Sequence, residues 1–217
     1  QNDNMTVGYG LVIHDDAIFT TGSIKTDDEN QSYDLIVSKW SKSGTRLWQT
    51  QWGEIFDEEG SGICVSSNGS IYVWAAHYDL RTEPGFWKSA YLKFDSSGTL
   101  LWNKTSEHMV YPGKAELESR NDGMYSWWGS ASIIEILDFD CEYMWNISPS
   151  ACALNFNDEG NVYTTTRGSY AEDWQITVCK WDSTGANIWS TNYSVPLGDG
   201  TTWVFDSRSI DVAPDGS

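Results

Sequence analysis

Three ten-residue segments of this chain superpose almost letter for letter: KWSKSGTRLW (Lys39 to Trp48), KFDSSGTLLW (Lys93 to Trp102) and KWDSTGANIW (Lys180 to Trp189). A repeat constrains a fold more tightly than composition does, because every copy must take one local structure and bury one face against its neighbours. Each copy reads as a strand, a tight turn and a second strand. Gly44, Gly98 and Gly185 stand where such a turn needs a positive φ, which a residue with a Cβ enters only at a cost. A degenerate copy, FDCEYMW (Phe139 to Trp145), keeps the final tryptophan and has lost the glycine.

A second hairpin lies upstream of each copy. GICVSSNGSIYVWA (Gly62 to Ala75) alternates apolar and polar residues on either side of an Asn-Gly turn, and ALNFNDEGNVYT (Ala153 to Thr164) repeats the design with Glu-Gly. LVIHDDAIFTTG (Leu11 to Gly22) and ELESRNDGMYSWWG (Glu116 to Gly129) are looser versions. Each unit therefore has four short strands, A to D. The tryptophans opening strand D, Trp48, Trp102, Trp145 and Trp189, recur after 54, 43 and 44 residues. Four strands in every 40–50 residues or so is the pattern of β-propeller blades. The expected fold is all-β: one propeller, or part of a larger one, over residues 1–217. Its four antiparallel blades fall near 7–53, 54–106, 113–148 and 149–195. The segment SIDVAPDGS, within 206–217, matches strand A of a fifth.

The unit resembles the SBBP-type β-propeller repeat of secreted bacterial and archaeal proteins, a relative of the tryptophan-containing repeats in PQQ-type quinoprotein propellers. The matching residues are the lysine and aromatic before the turn, the D/S-x-x-Gly turn, and the tryptophan opening strand D. The acidic lead Asp57-Glu58-Glu59 and the Asn-Gly or Gly-Asn turn before Tyr72 and Tyr163 match as well. The resemblance covers nearly the whole chain and implies a propeller. It implies little about activity, because propellers host many unrelated functions.

Composition narrows the function classes. Thirteen tryptophans and 11 tyrosines suit broad packing between sheets. A net charge of −18 repels phosphate backbones, which argues against a nucleic-acid partner. No apolar run approaches the roughly 18 residues of a membrane span, so no membrane insertion is expected of this segment. The start at Gln1 is what a removed signal peptide, or a trimmed chain, leaves behind. Cys64, Cys141, Cys152 and Cys179 form no CxxC and no zinc spacing. Cys152 and Cys179 fall on strands separated by a third, about 9–10 Å apart, too far for an easy disulfide.

Most tryptophans are explained by register, and residues recurring at one blade position read as the core between blades. Trp87 and Trp174 share a position with Tyr33, and Trp52 shares one with Tyr193. Aromatics without a repeated counterpart lie in HYDLRTEPGFW, EHMVYPG and PLGDGTTWVF, read as B–C and D–A loops opening on one face. Variable loops on a rigid scaffold are where binding concentrates, so His77, Tyr78, Phe86, Tyr111 and Trp203 are the candidate ligand residues.

No catalytic constellation emerges. The pairs Asp15/Asp16 and Asp138/Asp140 read as solvated charge. NFNDEGN (Asn155 to Asn161) resembles a calcium loop but has Arg167 where the bidentate glutamate belongs. His14, His77 and His108 share no metal-ligand spacing. No nucleophile signature or phosphate loop occurs. Neither a metal site nor a cofactor is expected.

The sequence is richer in modification signals. Asn-x-Ser/Thr occurs at Asn4, Asn30, Asn68, Asn103, Asn146 and Asn192, half of the 12 asparagines. None falls inside a strand A or B, where a glycan would not fit. These features point to a non-enzymatic glycoprotein, extracellular or on the cell surface, serving as scaffold, adhesion module or assembly subunit. Its partners would be proteins, copies of itself included, through a C-terminal strand Ser207 to Ser217 that pairs outside its own chain. A quinoprotein-like enzyme, or a binder of polysaccharide or peptide through the loop face, are the alternatives.

Overall fold

The computed structural model describes residues 6–26, 32–53, 57–79, 86–109, 115–120, 123–128, 133–147, 151–157, 159–167, 175–194 and 210. Those residues form strands and turns, without a helix. The first sheet holds β1 (Thr6–His14), β2 (Ala17–Lys25), β3 (Tyr33–Ser41) and β4 (Arg46–Trp52) in that order. The second holds β5 (Glu58–Val65), β6 (Ile71–Asp79), β7 (Phe86–Phe94) and β8 (Leu100–Met109). The third holds β9 (Ala115–Arg120), β10 (Gly123–Trp128), β11 (Ile133–Leu137) and β12 (Tyr143–Ile147). The fourth holds β13 (Ala151–Phe156), β14 (Val162–Arg167), β15 (Gln175–Trp181) and β16 (Asn187–Ser194). Each sheet is one antiparallel meander, the A–B–C–D unit of the repeat. The chain packs as two compact units, residues 1–130 with 136–143 and residues 131–135 with 144–217.

The turns follow from backbone chemistry. Gly44, Gly98 and Gly185 have φ of 83°, 87° and 85°, and each donates its N–H to the carbonyl three residues back. Asp95 Oδ1 accepts from the N–H groups of Ser97 and Thr99, and Asp182 Oδ1 does the same for Thr184 and Ala186. In the degenerate copy Cys141 takes the glycine's place, with φ of 59° and the matching bond to the Asp138 carbonyl. The glycine is lost but the turn is kept, because the Asp138 carboxylate holds it through the Asp140 and Glu142 N–H groups.

Two bulges recur at fixed places. In strand A the register shifts between Gly8 and Gly10, Gly60 and Gly62, and Ala151 and Ala153, which leaves Tyr9, Ser61 and Cys152 as the extra residues. Between strands C and D it shifts beside Lys39, Lys93 and Lys180, which leaves Leu47, Leu101 and Ile188 extra. All three of the latter are more than half exposed.

Each intact blade also carries one aromatic–lysine–tryptophan stack on its forward face. Lys39 lies 5.1 Å from the Phe19 ring, Lys93 5.2 Å from Tyr72, and Lys180 5.3 Å from Tyr163. Trp48, Trp102 and Trp189 sit 6.3–6.4 Å from those same rings. In the first unit the stack meets the following sheet. Phe19, Leu35 and Val37 are buried against Ile63, Val65, Ile71 and Val73, with Trp48 and Trp52 packed at the margin. Thr50 Oγ1 donates to the Gly98 carbonyl at 2.6 Å. One sheet on, Lys104 Nζ reaches the Asp140 carbonyl and Glu142 Oε1, and Phe139 lies 5.4 Å from Tyr72. The strand-D tryptophans thus divide. Trp48 and Trp102 are partly covered, whereas Trp189 is exposed, which corrects a uniform core assignment.

Candidate functional site

The first strands of three successive sheets, β1, β5 and β9, lie side by side and line a cavity of about 430 Å³. Its wall is made of Leu11, Ile13, Ile63 and Leu117 with Ser61, Ser119 and His14 among them. The strand-A bulges build part of that wall, since Tyr9 and Ser61 are the extra residues turned towards it. Glycine allows the strands to approach closely. A Cβ on Gly10 would lie 2.9 Å from Thr21 Cγ2 and 3.0 Å from the Ser61 carbonyl oxygen. Ser119 Oγ donates to the Val65 carbonyl at 2.8 Å and ties the third sheet to the second.

At one end of these strands sits a polar cluster. Glu58 and His77 are cross-strand partners, and Glu58 Oε1 lies 2.9 Å from His77 Nδ1 with both side chains buried. Trp52 lies 6.4 Å from the His77 ring. Asp57 Oδ1 accepts from the Tyr33 N–H at 3.0 Å, and its carbonyl accepts from the Tyr78 N–H at 3.0 Å. Burial pushes the Glu59 carboxyl above the usual range, with the Asp57 charge adding to it. The Tyr9 hydroxyl is raised too, first by burial and then by Glu59 and Tyr33.

Of the five residues expected to bind a ligand, three fall among the described ones. His77 and Tyr78 do not lie in a loop: strand β6 runs on to Asp79 and pairs residue by residue with β7, which begins at Phe86. His77 is committed to Glu58 and is closed to solvent, so its reading as a loop residue is corrected. Tyr78 is half-buried against Trp87, ring centroids 5.0 Å apart. Phe86 opposes Asp79 in the ladder. Tyr111 and Trp203 lie outside the described residues. His108 falls in β8 and not in a loop.

Asn68 is exposed in the β5–β6 turn, its Oδ1 accepting from Ser66 Oγ at 2.8 Å and the Ser70 N–H at 3.0 Å. Asn103 and Asn192 are exposed on β8 and β16, the last strands of their sheets. Asn146 lies on β12, again a last strand, and Asn4 and Asn30 are outside the described residues. Cys141 and Cys179 are free thiols, with Cys141 pushed up to about 12 chiefly by burial. Among the described residues no three His, Cys, Asp or Glu side chains are grouped to hold a metal ion, and no helix is long and apolar enough to cross a membrane.

The buried Glu58–His77 pair is the part that the linear sequence hid. Counting back from the Asn68-Gly69 turn pairs His77 with Glu59 and puts Glu58 on the opposite face. The bulge at Ser61 moves the pairing by one residue. The signal available was the doubled glycine, Gly60 and Gly62, flanking that extra residue.

No family profile matches the chain, and no curated protein matches its sequence. Solved structures do. The WD40 domain of Neurospora crassa Pan2 superposes with a TM-score of 0.53 at 10% identity, over 87% of this chain and 67% of that one. A luciferin-regenerating enzyme gives 0.49 at 10% identity over 89% and 78%. The native arabinanase of Bacillus subtilis gives 0.41 at 14% identity over 85% and 75%. At such identities the likeness is one of fold, and the first comparison carries it. WD40 repeats build propellers of four-stranded blades, and the sheets described above are such blades. The chain is a β-propeller protein.

Proposed function

We propose that this chain is a propeller module of a secreted or surface glycoprotein, built of SBBP-type repeats and working without catalysis as a scaffold, adhesion module or subunit of an extracellular assembly. The observation that carries the reading is where the acceptor asparagines stand. Asn103 and Asn192 are exposed on outermost strands, and Asn68 is exposed at a turn tip. A glycan at any of these reaches solvent without displacing a packed side chain. On an outer strand it would also block unwanted pairing of sheet edges. Copies of the chain itself are among the proposed protein partners, through the C-terminal strand. Of that strand only Ile210 is described, its carbonyl accepting from Asn155 Nδ2 at 3.2 Å; Val212 lies outside the described residues.

The test is the intact mass of protein taken from its native source. Sugar is expected on at least two of the six sites, with Asn103 and Asn146 first. A native mass equal to that of the bare polypeptide would overturn the reading.

A second reading, a binder of polysaccharide or peptide, is favoured by the half-buried Tyr78–Trp87 pair, whose rings offer a stacking surface to a sugar face. Quenching of tryptophan fluorescence by a soluble polysaccharide, lost in Trp87→Ala, separates it from the first. The quinoprotein-like alternative would show a visible quinone absorbance in native protein.

A further inference from the structure

Every asparagine of this chain but one is followed by a residue with a side chain, which crowds the next backbone nitrogen. The exception is Asn68, followed by Gly69, which has no Cβ. The pair forms the tip of the β5–β6 turn, with Asn68 exposed and Gly69 half-buried. Gly69 has a φ of 81°, and a Cβ placed on it would meet only Ser96, at 3.8 Å. The space around its backbone is open.

The carboxamide before it is held by its oxygen. Asn68 Oδ1 accepts from Ser66 Oγ at 2.8 Å and from the Ser70 N–H at 3.0 Å. Two donors aimed at a carbonyl oxygen stabilise the negative charge that gathers there when a nucleophile adds to the carbon. One bond opposes such an addition. The Gly69 N–H donates to the Ser66 carbonyl at 2.8 Å and must let go before its nitrogen can turn. The turn itself accepts a carboxylate at this place, since blade four carries Glu159 before Gly160 in the matching turn, closed by the same pair of backbone bonds.

We propose that Asn68 is a site of spontaneous covalent modification, converted through a cyclic imide with Gly69 to aspartate and isoaspartate. The Gly69 nitrogen gives up its proton to water and attacks Asn68 Cγ, forming a new C–N bond. The Cγ–Nδ2 bond breaks, and Nδ2 takes a proton from water and leaves as ammonia. A second water then opens the ring. Attack at Cγ gives aspartate, and attack at the main-chain carbonyl carbon gives isoaspartate. The net change is one water consumed and one ammonia released, and a carboxylate stands where a neutral amide was. Nδ2 is also the atom that a glycan at Asn68 would occupy, so a copy sugared there is spared and an unsugared copy gains negative charge with age. The step itself needs no sugar and stands apart from the glycoprotein reading.

The test uses unglycosylated chain from a bacterial host, held at mildly alkaline pH both folded and in guanidinium, and mapped by peptide mass at intervals. The peptide holding Asn68 is expected to gain about 1 Da, the difference between an amide and an acid, and to contain isoaspartate as well as aspartate. Opening one exposed turn hydrogen bond is the obstacle that folding adds, so the folded rate is expected within roughly tenfold of the rate in guanidinium. Asn68→Gln, whose longer side chain would have to close a larger ring, is expected to keep the β circular dichroism and lose the gain. A folded rate lower than that range overturns the proposal. So does a gain spread over the other asparagines, or aspartate without isoaspartate, which would mean direct hydrolysis by water.

Discussion

Single residues set the turns, and the two glycines at equivalent turns differ in what surrounds them. Gly44 and Gly98 share a positive φ, but a Cβ on Gly44 meets nothing within 4 Å, while one on Gly98 lies 2.9 Å from Trp48 Cε3. Gly44→Ala therefore carries backbone strain alone, about 1 kcal/mol. Gly98→Ala adds displacement of Trp48 from the joint, for a total of roughly 2–3 kcal/mol. Urea denaturation of the two variants checks the order, and equal losses would remove the tryptophan from the explanation. Glu59 offers a test by pH. Its folded pKa is raised by burial and by Asp57. Ionised Glu59 thus weakens the folded state at neutral pH, and the penalty is absent below the unfolded pKa, where both states hold the proton. Glu59→Gln is expected to raise the melting temperature at pH 7 and to leave it unchanged near pH 3, read by calorimetry at the two values.

At the scale of strands and hairpins, the repeated stack should matter in proportion to what covers it. Trp48→Ala opens the joint between the first two blades and is expected to cost about 2–3 kcal/mol. Trp189→Ala, at the same position but 41% exposed, costs less than about 1 kcal/mol. Denaturant curves of the two variants decide, and similar losses would mean that the stack acts within its own blade. Much of this was legible in the sequence. The Gly and Trp register located the hairpins, because turn chemistry and side-chain period are local properties. What stayed hidden depended on partners. Read along the chain, HYD and FWK lack clean alternation and look like loop, yet β6 and β7 hold them in nine consecutive pairs. Cys141 looked like a broken turn, because sequence does not show that the Asp138 carboxylate keeps it closed. The candidate site was the least legible. The cavity wall is shared by three strands distant in sequence, and the bulges at Tyr9 and Ser61 decide which side chains face it.

At the largest scale, the first blade leans on the second, and the second on the third, through one kind of joint. Stability in such arrays is close to a sum of nearest-neighbour terms. The C–D bulge has a bearing on how these chains behave when crowded. Leu47, Leu101 and Ile188 each break the row of backbone groups on a last strand at the same depth. An incoming strand seeking to zip onto that edge finds its ladder interrupted within a few residues. Repulsion from the charge of −18 keeps copies apart only over about a Debye length, some 8 Å at physiological salt, and fades in brine. The kinked border works at contact distance and is indifferent to ions. A concentrated solution of this protein can therefore be pushed together by salt and still resist zipping along these last strands.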